Sequence, residues 1–348
     1  MFDHILIPLD GSVNAEKIAG WSEGIAAAYD SDLTLLSVVD PGKVERSHGD
    51  PGRDRPARGS HPLDEAAGIT EHSGGIAYGD TAPIGTKIKT NKPEAGYGTQ
   101  VIEQAAQERN SYVNVVSRRL AERGIHVRAM VTIGTPEDEI LRVAEEEGID
   151  LITMATHRES LFARGVLGSV TDRVIRQSTV PVLTMRPENI SETVPHKPDV
   201  ILVPLDGSEV SESVIPIAMN IARKSGSQLV FARVTSKPYQ SAMNEAGIYY
   251  SSPLTYSQAS TYADEYLEPF VEKAKSADIP TSMRTPMGNP SLCLIEMAGE
   301  NENTLIVIGT RGQSGLKRLI VGSVTDKVIR TSGHPVLVVP PKPKTMNG

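Results

Sequence analysis

The stretch Leu305-Ile-Val-Ile-Gly-Thr-Arg-Gly-Gln-Ser-Gly-Leu-Lys-Arg-Leu-Ile-Val-Gly-Ser-Val-Thr-Asp-Lys-Val-Ile-Arg330 decides the fold. Leu305 to Ile308 is a short apolar run, the pattern of a buried strand. Gly309, Gly312 and Gly315 break it into a loop. After Gly322 and Ser323, the residues Val324, Val328 and Ile329 fall at helical spacing, and Ser323-x-x-Asp326 has the form of a capping box that starts the helix at Ser323. Strand, glycine loop and helix N-terminus together suit an anion, because unpaired amides point at it and the helix dipole favours negative charge. Arg311, Lys317 and Arg318 add positive charge to the loop. On spacing alone two readings stay open: a nucleotide phosphate site, or a glycine-rich connector.

The same frame occurs twice. Gly165 to Arg176 matches Leu319 to Arg330, His4 to Ser12 matches Val200 to Ser208, and Val180 to Leu183 matches His334 to Leu337. Asp10 and Asp206 lie 196 residues apart, whereas Gly168 and Gly322 lie 154 apart, so the first copy holds 42 extra residues. The chain therefore divides into a first domain at 1–187, a polar linker at 188–198 that contains prolines, and a second domain at 199–342. The extra residues form a Gly-, Pro- and charge-rich loop at 41–97. It leaves near the expected ligand edge and is read either as a cover for the first site or as a mobile excursion.

In the first copy, strands are expected at Ile5 to Leu9, Leu33 to Val39, Val127 to Ile133, Leu151 to Ala155 and Val180 to Met185. Helices are expected after the cap Ser12, at Gln100 to Arg123, from Pro136 to near Gly148, and from Ser169. The second copy repeats the order, with strands at Ile201 to Leu205, Leu229 to Val234, Thr281 to Met287, Leu305 to Ile308 and Val336 to Val339. Pro216 falls inside its first helix and is expected to bend it. Strands alternating with helices give an α/β fold of two doubly wound, parallel, five-stranded sheets in tandem, Rossmann-like in type. Such sheets bind ligands beyond the C-terminal strand ends, at the topological switch point, where Asp206 and Gly309 belong.

The net charge of -8 argues against non-specific nucleic-acid binding. No apolar run is long enough to span a bilayer. The N-terminus reads as a strand rather than a signal peptide, and the single cysteine, Cys293, fits a reducing compartment, so a cytoplasmic location is expected. Cys293 itself lies among Leu292, Leu294 and Ile295 and reads as a small core residue.

These residues resemble the universal stress protein family in its tandem two-domain form. The family's ATP-binding members carry G-x2-G-x9-G-[S/T], which Gly309, Gly312, Gly322 and Ser323 match without gaps. Pro204-Leu205-Asp206-Gly207-Ser208 and Pro8-Leu9-Asp10-Gly11-Ser12 look like the family's first strand end. The resemblance implies ATP, with Mg2+ as its accompanying ion, in the second domain. Asp206 would meet ribose or adenine beside Pro204 and Leu205, and Val234 would meet adenine through its backbone. Gly309 and Thr310 would lie against ribose and the first phosphate, Gly312, Gly322, Ser323 and Val324 would cradle the phosphates, and Arg311 would add charge. The first domain departs from the pattern at Ala155 and Arg158. Its corresponding residues are Pro8, Leu9, Asp10, Val38, Thr156, Arg158, Gly168, Ser169 and Val170, for which weaker binding or none is expected. His157 stands where Arg311 does.

The implied function is a nucleotide-dependent stress-response or signalling protein, not a dedicated enzyme. Alternatives are a slow ATPase or phosphotransferase, or a structural member without nucleotide. Asp10 and Asp206 suit both ligand contact and capping of the next helix. The family's last strand commonly pairs domains, so Val180 to Met185 and Val336 to Val339 are expected to meet within the chain, with further assembly into a homodimer. The protein partner is not readable from the sequence.

Overall fold

The computed structural model describes residues 1–48, 87–89, 97–156, 167–186, 197–235, 240–243, 249–252, 256–310 and 321–341. The first half runs β1 (His4–Pro8), α1 (Val13–Lys17), α2 (Ala19–Tyr29), β2 (Asp32–Val39), α3 (Pro41–His48), β3 (Lys87–Lys89), α4 (Tyr97–Ala121), β4 (Val127–Ile133), α5 (Pro136–Glu146), β5 (Leu151–Ala155), α6 (Ser169–Gln177) and β6 (Val182–Met185). The second runs β7 (Val200–Pro204), α7 (Glu209–Glu212), α8 (Ile215–Ser225), β8 (Gln228–Ala232), β9 (Gln240–Met243), β10 (Tyr249–Ser252), α9 (Tyr256–Lys275), β11 (Thr281–Arg284), α10 (Pro290–Ala298), β12 (Thr304–Gly309), α11 (Ser323–Thr331) and β13 (Val336–Val339).

Each half contributes five parallel strands, ordered β4-β2-β1-β5-β6 and β11-β8-β7-β12-β13. The two sheets are not separate: β6 pairs antiparallel with β13, Leu183 opposite Leu337, and the halves fuse into one eleven-stranded sheet closed at one edge by β3. The expected meeting of the last strands is therefore present as a continuous ladder. Strand residues alternate between two buried faces, as a parallel sheet covered on both sides requires. Ile5, Ile7, Ile201 and Val203 face one core with α2, α8 and α9, whereas Leu6 and Leu202 face the other with α5, α6, α10 and α11. On the first face the Tyr29 hydroxyl donates to Asn220 Oδ1 at 2.7 Å across the seam. On the second, Arg330 reaches Asp172 at 3.4 Å and Arg176 reaches Asp326 at 3.9 Å.

Several expectations change. The inserted region is not wholly without structure, since α3 and β3 lie in it and β3 extends the sheet beside β4. The first helix of the second half is interrupted between Glu212 and Ile215, with Pro216 in the first turn of α8. The first half breaks at Ile18 without any proline, so the interruption belongs to the fold rather than to Pro216. Ser323 begins α11 but does not cap it. The cap is Gly322, with no side-chain bond, and Asp326 instead pairs with Arg330 at 2.9 Å. Among the described residues no helix is long and apolar enough to cross a membrane.

Candidate functional site

In the second half the chain leaves β7 toward β8 on one side and returns to β12 on the other, so the switch point lies between β7 and β12. The β7 side is a tight turn. Pro204 ends the strand, and Leu205 is buried and donates its N–H to the Ala232 carbonyl at 2.8 Å. Asp206 Oδ1 accepts from the Ser208 N–H at 3.0 Å and the Ser208 hydroxyl at 2.6 Å. Ser208 in turn caps α7 by accepting from the Ser211 N–H at 3.1 Å. Gly207 sits at φ +87°, a left-handed conformation that glycine alone adopts cheaply. Asp206 thus anchors the turn and holds the Ser208 hydroxyl, but Ser208, not Asp206 as expected, is the cap of α7. Val234 lies two residues beyond the end of β8, not within the strand as expected, and packs against the core on the α10–α11 face.

The β12 side approaches its neighbours closely. A Cβ on Gly309 would stand 3.1 Å from the Val210 carbonyl oxygen and 3.3 Å from Val210 Cγ1, so a side chain there would crowd α7. Thr325 donates its hydroxyl to the Gly309 carbonyl at 2.9 Å and ties α11 to the strand end. Thr310 is 7% exposed. Its N–H donates to the Val339 carbonyl at 3.1 Å, and its carbonyl accepts from the Gly322 N–H at 2.8 Å. Its hydroxyl has no partner among the described residues. The Gly322 amide closes the neck of the loop and so does not face outward. Ser323 and Val324 fill the first turn of α11, where amides lack intrahelical acceptors. Arg311 and Gly312 lie outside the described residues.

The first half repeats the turn. Leu9 follows Pro8, Asp10 Oδ1 accepts from the Ser12 N–H at 3.0 Å, and Ser12 caps α1. Val38 is partly buried, and Gly168, Ser169 and Val170 start α6 as Gly322, Ser323 and Val324 start α11. Thr156 differs from Thr310, because its hydroxyl donates to the Met185 carbonyl at 3.2 Å. Arg158 and His157 lie outside the described residues.

Each half also brings a Tyr–Glu–Arg group to the turn, which sequence reasoning missed. Tyr266 donates to Glu212 Oε1 at 2.8 Å, beneath Arg233. Burial first, and then Glu212, push the Tyr266 phenol up, so it stays protonated. Tyr112 is raised likewise by burial and by Glu16. The Arg109 guanidinium donates to the Asp10 carbonyl. The pairs Tyr112–Tyr266 and Glu16–Glu212 are themselves spaced by the two repeat offsets, a signal that aligning the polar as well as the apolar positions would have given. Among the described residues no group of three or more His, Cys, Asp or Glu side chains could hold a metal ion. The chemistry on offer is binding of a polar, anionic ligand by amides, a hydroxyl and a guanidinium.

The profile of the Universal stress protein family matches residues 1–186 and again 198–340. Universal stress protein Rv2005c of Mycobacterium tuberculosis is 22% identical over 335 residues, covering 96% of each chain. Universal stress protein MJ0531 of Methanocaldococcus jannaschii is 31% identical over 145 residues, covering 41% of this chain and 82% of its own. A solved universal stress protein from Archaeoglobus fulgidus superposes with a TM-score of 0.65 at 19% identity, covering 98% of this chain and 99% of its own, which establishes a shared fold. Matched twice across nearly its whole length, the chain belongs to the universal stress protein family.

Proposed function

We propose that the second half of this protein binds ATP at the crevice between Asp206 and Thr310, and that the nucleotide sets a surface read by a signalling partner. The observation that carries this reading is the buried, unpartnered Thr310 hydroxyl. Leaving such a group unpaired costs about 1–3 kcal/mol, which a ribose or phosphate oxygen would offset. Ser323 and Val324 supply first-turn amides for phosphate, and the family resemblance adds Gly312 and Arg311, which lie outside the described residues. Pro204, Leu205 and Val234 offer the edge for adenine, and Asp206 the acceptor for a ribose or base N–H or O–H. Mg2+ would enter with the nucleotide, held by its phosphates.

In the first half the Thr156 hydroxyl is already bonded, and Ala155 and Arg158 stand where the second half has Gly309 and Gly312. Weak binding or none is the reading there. Native mass spectrometry of the purified chain tests both statements. One ATP per chain is expected, and Gly312→Val should abolish it by filling the phosphate space. No ATP at millimolar nucleotide overturns the proposal, and two per chain overturn its assignment to one half.

A further inference from the structure

Across β7 from Thr310 lies a guanidinium that, among the described residues, has no hydrogen-bond or ion-pair partner. Arg233 is the first residue after β8. Its guanidinium carbon stands 4.1 Å from the centroid of the Tyr266 ring, and the Tyr266 hydroxyl is fixed by Glu212. A Cβ on Gly207 would meet Nη1 at 3.1 Å and Nη2 at 3.4 Å, so both nitrogens of the fork face the turn that carries Asp206. Among the described residues the guanidinium makes no hydrogen bond and no ion pair; it is held by stacking on the Tyr266 ring. Stacking on an aromatic face orients the fork while leaving its five donors for something else.

The first half fills the same place by another route. Tyr112 and Glu16 correspond to Tyr266 and Glu212 by the repeat offsets, and a guanidinium again lies against the turn glycine, here Gly11. It comes from Arg109 on α4, whose counterpart is Ala263, whereas the counterpart of Arg233 is Ser37. Two unrelated chain positions thus deliver a cation to one location. In the first half it is committed, because Arg109 donates to the Asp10 carbonyl. In the second, among the described residues, it is uncommitted to any acceptor.

We propose that Arg233 forms a second anion subsite of the second half, selecting adenine nucleotides that carry a phosphate on the ribose, at the 2′ or 3′ position, in addition to the 5′ phosphate. The inference rests on the nucleotide reading above. With 5′ phosphates at the start of α11 beside β12, a nucleotide lying across the end of β7 brings its nucleoside toward the end of β8, where Arg233 stands. In doubly wound dinucleotide folds an arginine near the ribose accommodates a 2′-phosphate. A guanidinium fork binds phosphate through paired, charge-assisted hydrogen bonds, which a ribose hydroxyl cannot match.

Isothermal titration of the full chain with adenosine 5′-monophosphate, adenosine 2′,5′-bisphosphate and adenosine 3′,5′-bisphosphate tests it. One bisphosphate is expected to bind at least about tenfold tighter than the monophosphate, and the arm that does so identifies the position read. In Arg233→Gln the ratio falls to about one, and in Arg233→Lys, which keeps charge and stem but not the fork, it is intermediate. Arg109→Gln keeps the wild-type ratio. Equal binding of all three by wild type, or a ratio that survives Arg233→Gln, overturns the subsite and leaves the nucleotide reading standing. Binding of neither these nor ATP overturns both.

Discussion

The Thr156 hydroxyl donates to the Met185 carbonyl at 3.2 Å, whereas the hydroxyl of Thr310, its counterpart in the second half, bonds nothing among the described residues. The two threonines share their amide tie, the Thr156 N–H donating to Met185 at 2.8 Å and the Thr310 N–H to Val339 at 3.1 Å, while the Thr310 carbonyl also accepts from the Gly322 N–H at 2.8 Å. In the side chains the difference is one rotatable hydroxyl. Without nucleotide, Thr310→Val should be neutral or stabilising by up to about 1 kcal/mol, because an unpaired buried polar atom is removed. Its ATP affinity should fall by about tenfold. Thr156→Val should instead cost about 1 kcal/mol and leave ATP affinity alone. Thermal unfolding with and without ATP reads all four effects, and equal behaviour of the two variants contradicts the asymmetry.

Legibility followed sequence distance. Leu305 to Ile308, the glycine loop and the Pro-Leu-Asp-Gly-Ser turns are contiguous patterns, and through the switch-point rule they place Asp206, Thr310 and the start of α11 at one edge. The meeting of Val180 to Met185 with Val336 to Val339 comes from the family resemblance, while the pattern itself gives only an apolar strand at the end of each repeat. Three things were not legible. The three residues of β3, Lys-Ile-Lys, carry no periodicity to read. Gly309 looked like a ligand-facing glycine, but its tightest neighbour is Val210, which only the packed structure brings near. Arg233 and Arg109 reach one place from non-equivalent positions, so comparing the repeats residue by residue separates them.

Gly309→Ala follows from that contact. The added Cβ would lie 3.1 Å from a backbone oxygen of α7, which cannot turn aside as a side-chain tip can. A cost of about 1–2 kcal/mol is expected, of the size of other overpacked core changes. It should appear as a lower urea midpoint at unchanged slope, in nucleotide-free protein. A loss seen only in ATP affinity, with stability intact, would favour a ligand-facing role for this glycine instead.

Glu23 is 3% exposed and accepts from Arg123 Nη1 at 3.0 and 2.9 Å through its two oxygens, joining α2 to the turn that follows α4. Its counterpart in the second half is Met219, also buried. Arg123→Ala leaves a buried carboxylate without its cation and should cost about 2 kcal/mol, allowing for the half-exposed arginine. Glu23→Met removes the charge and supplies the side chain that the second half already uses, and should be neutral or stabilising. Chemical denaturation ranks the two variants, and the reverse order would refute the account.

His334 occupies the seam end where the first half has Val180, each followed by proline and a paired strand. Burial pushes the His334 imidazole below its ordinary value of 6.5. Above that value the ring is neutral in folded and unfolded chains alike, and it contributes no pH dependence. As pH falls below 6.5, the unfolded chain takes up the proton first while the folded chain resists, so stability declines until the lower folded value is passed. His334→Val introduces the residue that the equivalent position already accepts and removes the titration. Between about pH 7.5 and about pH 5.5 the melting temperature of wild type should therefore fall more than that of the variant. Carboxylates contribute equally to both proteins and cancel in the comparison. Parallel pH profiles would show that the seam does not sense protonation at this histidine.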